Sequence, residues 1–181
     1  MRALRAYVGV VDRLNHGLGR AVMWGIFVLM GILLWSTISK AAFLPSLWTL
    51  EMAQFVMVGY FVLGGPYAMQ MGADVRMDLI YGALSPRRKA WTDAATVFVL
   101  LAYLGILLWG AIDSTRYSFA YGGERSASAW RPYLWPIKVT ICAGLVLMIA
   151  QALAELARDA VFLATGERIA HPGRGGAHDA P

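Results

Sequence analysis

The sequence has few charged residues and almost no cysteine. Only 15% of its 181 residues are charged and 59% are hydrophobic, which is outside the usual composition of soluble domains. Cys142 is the only cysteine, so an intrachain disulfide, a multi-cysteine metal site and dithiol chemistry are excluded. A domain of this size has too little interior to bury several long apolar runs. The apolar residues are therefore expected to face lipid.

Histidine is also scarce, and no histidine falls inside an apolar run. His16 precedes the first run, and His171 and His178 lie in the C-terminal tail, so the intramembrane histidine pair of a membrane haem protein is missing. No glycine-rich turn with a following lysine offers a phosphate cradle. The net charge of +5 is spread between the apolar runs without a basic patch, which argues against nucleic acid as a partner. We expect no cofactor, no metal and no enzymatic activity.

Four apolar runs are present, and each is long enough to cross a bilayer as a helix. At 1.5 Å per residue, the first run extends roughly 28 Å. The runs predict an all-α integral membrane protein with transmembrane helices at about 21–39, 48–71, 94–112 and 133–156. Residues 1–166 would form a single membrane domain. Residues 167–181 contain too few apolar side chains to pack, so a disordered cytoplasmic tail is expected.

The basic residues indicate how these helices are oriented. Eleven of the 16 Lys and Arg residues lie in the N-terminal arm, the central loop and the tail, and five lie in the alternate segments. Cytoplasmic segments are enriched in Lys and Arg, so both ends are expected in the cytoplasm. In the N-terminal arm, apolar residues recur at helical spacing from Leu4 to Leu18, which predicts an amphipathic helix on the inner membrane surface. A cytoplasmic extension of the first membrane helix is an equal alternative.

A few polar residues lie within the apolar runs, where ionised groups are costly and therefore candidates for function. Glu51 and Gln54 belong to the second run, and Lys138 lies near the start of the fourth. Glu51 and Lys138 both approach the outer face, where a pairing between them is one expectation. Three roles for Glu51 remain open: a structural ion pair or interhelical hydrogen bond, a subunit contact, and a carboxylate that couples transport to an ion.

Four sequence elements together carry a resemblance to a known family. They are Trp48 with Glu51, GYFVLGG at 59–65, GADVRMDLIYGALSPRR at 72–88, and ERSASAWRPYLWPIK at 124–138. From about residue 13 to 166 the chain resembles the small membrane subunit of tripartite ATP-independent periplasmic (TRAP) transporters. The outer loop, with its Glu-x-Ser element and Trp-Pro-Ile-Lys, is similar to the branch labelled mannitol/chloroaromatic.

Alternating charges mark the central loop of this pattern. Asp74, Arg76 and Asp78 follow directly after the second run. Local pairing in a solvated turn accounts for them, with each exposed pair worth roughly 0 to 1 kcal/mol. Asp74 departs from the family, which commonly has histidine before the Val-Arg-x-Asp element, so a histidine-specific role is not expected here.

The resemblance implies a multi-pass protein of the bacterial inner membrane. Such a subunit binds a large permease and broadens the fixed part of that permease, against which the transport domain moves. It also helps to receive a periplasmic substrate-binding protein during sodium-driven uptake of an organic acid. The outer loop is rich in Tyr, Trp, Arg and Glu, as an interface would be, so Glu124, Arg125 and Arg131 are candidate docking contacts. The main rival is a self-sufficient homodimeric exporter that uses Glu51. An enzyme's membrane anchor is a second rival, disfavoured by the missing haem ligands.

Overall fold

The computed structural model describes residues 2–42, 44–72 and 86–165. They form five helices: α1 (Arg2–Met23), α2 (Gly25–Ala42), α3 (Thr49–Met71), α4 (Pro86–Ala120) and α5 (Trp135–Thr165). Four segments are long and apolar enough to cross a membrane: Leu4–Ala42, Thr49–Met71, Ala95–Ala120 and Trp135–Phe162. The predicted all-α membrane architecture is therefore confirmed. The Asp74, Arg76 and Asp78 motif and the tail at 167–181 lie outside the described residues.

Two helices extend well beyond the apolar runs that predicted them. α4 continues past Ile112 to Ala120, and α5 continues past Leu156 to Thr165. An apolar run marks the stretch suited to lipid, whereas a helix ends where the backbone turns. After α4 this happens at Gly122 and Gly123, with φ values of 74° and 90°, a region that favours glycine. The outer loop therefore spans residues 121–134, and the third helix ends later than the predicted span at about 94–112.

The long helices pack side by side in a row. α2 contacts α3, α3 contacts α5, and α5 contacts α4. The two edge helices, α2 and α4, leave most of their apolar side chains exposed in the isolated chain, including Phe27, Leu34, Phe98, Ile106 and Trp109. Contiguous apolar exposure on this scale marks a surface that contacts lipid or protein.

The central helices α3 and α5 approach closely because a glycine lies at each contact. Gly59 faces the methyl group of Thr140, and Gly65 faces the thioether of Met148. Both helices run in the same direction, so successive contacts advance together along each of them. Small residues at such positions let helix backbones come near enough for close packing in a membrane.

The tightest of these contacts lies between Gly144 on α5 and Val62 on α3. A Cβ atom added at Gly144 would lie 2.3 Å from Val62 Cγ1 and 2.9 Å from the Val62 carbonyl oxygen. That carbonyl lacks its usual helical donor, because Pro66 has no N–H. α3 nevertheless continues without a break through Pro66. Gly144 thus fits against the part of α3 where proline has freed a backbone acceptor.

α1 is separated from α2 by a tight turn. The Trp24 N–H donates to the Ala21 carbonyl at 3.3 Å, and the Phe27 N–H donates to the Trp24 carbonyl at 3.1 Å. On the N-terminal side of this turn, Asp12 of α1 contacts α3 through Gln70 and α5 through Arg158. α1 therefore crosses the C-terminal ends of α3 and α5, and it is joined to α2 through Trp24 within the helical segment Leu4–Ala42. We call this end of the row the α1 end and the opposite end the loop end.

Candidate functional site

Glu51 lies in the first turn of α3, at the loop end, and is 8% exposed. The Ser126 hydroxyl donates to Glu51 Oε1 at 2.6 Å, so the outer loop is tied to α3. The second oxygen, Oε2, is buried and has no partner among the described residues. Glu51 thus forms a hydrogen bond between α3 and the outer loop.

Lys138 lies in the first turns of α5 and binds the same loop from the other side. Its ammonium group pairs with Glu124 and donates to the Ser114 carbonyl on α4 at 3.3 Å. The suggested pairing of Glu51 with Lys138 was therefore wrong. Both groups lie at the loop end, but each binds its own residue of the loop, because the polypeptide from 121 to 134 folds between them.

The loop itself has a defined backbone. The Leu134 N–H donates to the Glu124 carbonyl at 3.0 Å, and the Ser126 N–H donates to the Pro132 carbonyl at 3.0 Å. The guanidinium of Arg125 lies 4.2 Å from the ring centroid of Tyr133 and also donates to its hydroxyl. This cation–π contact closes the hairpin-like turn.

The remaining loop-end candidates are exposed. Arg131 has a positive φ of 50°, and its backbone N–H donates to the Ser128 hydroxyl at 3.2 Å, while its guanidinium stays in solvent. Gln54 is exposed on α3. Of the three predicted docking residues, Glu124 and Arg125 are thus engaged within the loop, and Arg131 is the one whose charged group is available to a partner.

A buried polar cluster at the α1 end was missed by the sequence analysis. Asp12 on α1 pairs with Arg158 on α5, and these side chains are only 7% and 4% exposed. Glu155 accepts a second hydrogen bond from the Arg158 guanidinium at 2.7 Å. Two carboxylates therefore share one arginine.

Amide side chains complete this cluster. The Asn15 amide donates to Gln151 Oε1 at 2.8 Å, and the Gln151 amide donates to Glu155 at 3.1 Å. The Gln70 amide donates to the Asp12 backbone carbonyl at 3.0 Å, which brings α3 into the cluster. These polar groups attach α1 to the row, and removing one member would leave others buried without a partner.

One signal in the sequence pointed to this cluster. Gln70 and Gln151 are amides in otherwise apolar stretches, and Asp12 interrupts the amphipathic arm. The fourth helix was expected to end near residue 156, which placed Arg158 beyond it. Since α5 continues to Thr165, Arg158 lies within a helix and faces α1.

The cluster is suited to holding helices together and not to metal binding. In the described part of the chain, no group of three or more His, Cys, Asp and Glu side chains is arranged to hold a metal ion. Cys142, half-buried on α5, lies 3.4 Å from the Thr115 hydroxyl on α4. This contact supports the packing of α4 against α5.

Comparison with known proteins decides which family this architecture represents. The model of the family described as "Tripartite ATP-independent periplasmic transporters, DctQ component" matches residues 29–162. The chain belongs to this family. The match begins within α2 and ends near the C-terminal end of α5, so it includes all four long helices of the DctQ component and excludes α1.

A curated relative is similar over part of the chain. It is the isethionate TRAP transporter permease protein DctMQ of Oleidesulfovibrio alaskensis, which is 28% identical over 114 residues. The alignment covers 62% of this chain and 17% of the relative, so the chain corresponds to a small part of that longer protein.

Membership of the DctQ family confirms three expectations. The chain is a component of a transporter, it is not an enzyme, and it is a multi-pass protein of the bacterial inner membrane. The self-sufficient exporter is not favoured, because the DctQ family consists of one component of a tripartite system.

Proposed function

We propose that this DctQ-family chain is the small permease subunit of a TRAP transporter, which binds the large permease subunit and helps the periplasmic substrate-binding protein to dock. The assembly takes up an organic acid using an ion gradient. The family match over residues 29–162 carries the proposal. The length and name of the DctMQ relative support a large permease as partner, since 83% of that protein lies outside the region aligned with this chain.

The architecture supports a scaffolding role for the subunit. The row of helices exposes two broad apolar faces to neighbouring helices or lipid, while its buried polar groups bind one another at the two ends. Membrane helices associate through close packing and scattered polar contacts, so a broad face of this kind suits a permanent partner. In this arrangement the α1 end is cytoplasmic and the loop end periplasmic, as the distribution of Lys and Arg indicates.

Affinity purification of the tagged full-length chain from native membranes tests the partnership. We expect one large hydrophobic permease to co-purify in a one-to-one ratio, and we expect it to remain bound after removal of the substrate-binding protein. The stoichiometry is measured by mass spectrometry of the intact complex. Recovery of a pure homodimer would contradict the scaffold and favour a self-sufficient carrier.

Docking of the binding protein is proposed at the loop end, through Arg131. We expect Arg131→Gln to raise the binding-protein concentration needed for half-maximal transport several-fold, with the maximal rate unchanged. Exposed charges at an interface act mainly on the rate at which the two partners associate. Reconstituted vesicles with purified binding protein provide the measurement.

Arg116→Gln is the matched control for this experiment, since Arg116 is also an exposed arginine at the loop end. Both variants remove one positive charge without touching Glu124 or Arg125. An unchanged binding-protein requirement in Arg131→Gln, or an equal change in the control, would contradict docking at this residue.

A further inference from the structure

α1 has three distinct faces around its axis. Its bundle face consists of Val8, Asp12, Asn15 and Gly19, all of which are buried. At about 100° per residue, the other positions fall on the two remaining faces. Two of these four residues are polar, and some of the apolar residues of α1 lie on another face and are exposed.

The second face is an exposed apolar stripe, formed by Val10, Leu14 and Ala21. Val10 is 65% exposed and Leu14 is 50% exposed. Ala21 is also part of an apolar groove of about 330 Å³ between the α1–α2 turn and α3, whose walls include Gly25, Gly59 and Tyr60. The stripe therefore continues into a groove between the membrane helices.

The third face is basic and contains the arginine pair, Arg13 and Arg20. These residues are seven positions apart and so lie on nearly the same side of the helix, roughly 90° from the apolar stripe. Both are exposed, and neither forms an ion pair in the described part of the chain. The carboxylate of α1, Asp12, is bound to Arg158, so the charge that α1 presents outward is positive.

We infer that the arginine pair binds the headgroups of anionic phospholipids, with the acyl chains lying along the apolar stripe. A helix with adjoining apolar and basic faces is suited to the boundary between headgroups and hydrocarbon. Charge complementarity identifies the occupant, since unpaired guanidinium groups beside an apolar stripe match the phosphate and acyl chains of a lipid. α1 lies outside residues 29–162, the region matched by the family model.

Native mass spectrometry of the full-length chain tests the inference. The purified protein is incubated with an equimolar mixture of phosphatidylglycerol and phosphatidylcholine, and the lipids retained on the protein are counted. We expect phosphatidylglycerol to be retained preferentially. The double variant Arg13→Gln/Arg20→Gln should reduce this preference by about fivefold for each arginine, the usual effect of one basic residue near an anionic surface.

Two further variants separate charge at this site from charge in general. Lys40→Gln/Arg116→Gln removes two exposed cations at the loop end and should leave the preference unchanged. Arg13→Lys/Arg20→Lys keeps the charge and should retain most of the preference for phosphatidylglycerol. The inference is overturned if the glutamine pair, Arg13→Gln/Arg20→Gln, keeps the wild-type preference for phosphatidylglycerol. It is equally overturned if the loop-end control loses as much of that preference as the glutamine pair does. It is also overturned if the glutamine pair loses a bound permease while its lipid preference is unchanged, since the arginines would then contact protein.

Discussion

Replacement of Arg158 by methionine is expected to lower the free energy of unfolding by about 3–5 kcal/mol, the usual cost of removing one partner from a buried ion pair. Methionine fills a similar volume but leaves Asp12 buried without a cation and deprives Glu155 of one bond. The unfolding midpoint should fall by about 10 °C. Cys142 provides the measurement, because a thiol-reactive fluorophore labels this half-buried and sole cysteine as the helices separate.

Control variants separate the effect of breaking the buried ion pair from the effect of removing a positive charge. Arg116→Met removes an exposed arginine and should change the midpoint little. Asp12→Asn should cost less than Arg158→Met, because Arg158 keeps Glu155 as a partner. The double variant should cost less than the sum of the two single variants. Additive effects would show that Asp12 and Arg158 are not coupled, and a midpoint for Arg158→Met equal to that of the control would contradict the cluster.

Gly144→Ala is expected to have the second largest effect, a loss of about 2–3 kcal/mol from overpacking. The added methyl group would meet both the side chain and the carbonyl group of Val62. A backbone carbonyl cannot rotate away as a side chain can, so α3 and α5 must separate. Faster labelling of Cys142, two residues away on α5, and a lower unfolding midpoint measure this separation.

Three other glycines calibrate that result. Gly105 and Gly110 on α4 have nothing within 4 Å of an added Cβ atom, so alanine there should be neutral or slightly stabilising through its helix propensity. Gly19→Ala should also be destabilising, because the added Cβ would lie 2.3 Å from Cγ and 2.4 Å from Cβ of Tyr67, and the backbone fixes the position of that Cβ. Equal effects at Gly144 and Gly105 would mean that the close approach of α3 and α5 does not contribute to stability.

The sequence predicted the membrane helices well because lipid imposes a simple rule. A helix that crosses hydrocarbon needs a long apolar run, and each of the four runs corresponds to a helical segment capable of spanning a membrane. The helix ends were predicted less well. Hydropathy falls before the backbone turns, so the predicted spans ended at about residues 112 and 156, before the last turns of α4 and α5.

The partners of polar residues were harder to predict because they depend on which helices are neighbours. Glu51 and Lys138 were correctly placed near one end, yet a hydropathy profile contains no information about how residues 121–134 fold between them. Asp12 and Arg158 are 146 residues apart in sequence, and they meet because α1 crosses α5. The amides Gln70 and Gln151 signalled buried polar contacts without indicating where these contacts lie.

The attachments at the two ends of the row have a mechanical consequence. At one end, Glu51 on α3 and Lys138 on α5 bind the same loop, and at the other end, Gln70 on α3 and Arg158 on α5 bind the same residue of α1. Two rods joined at both ends resist sliding past each other and splaying apart. The pair α3–α5 should therefore respond to load as a stiff beam.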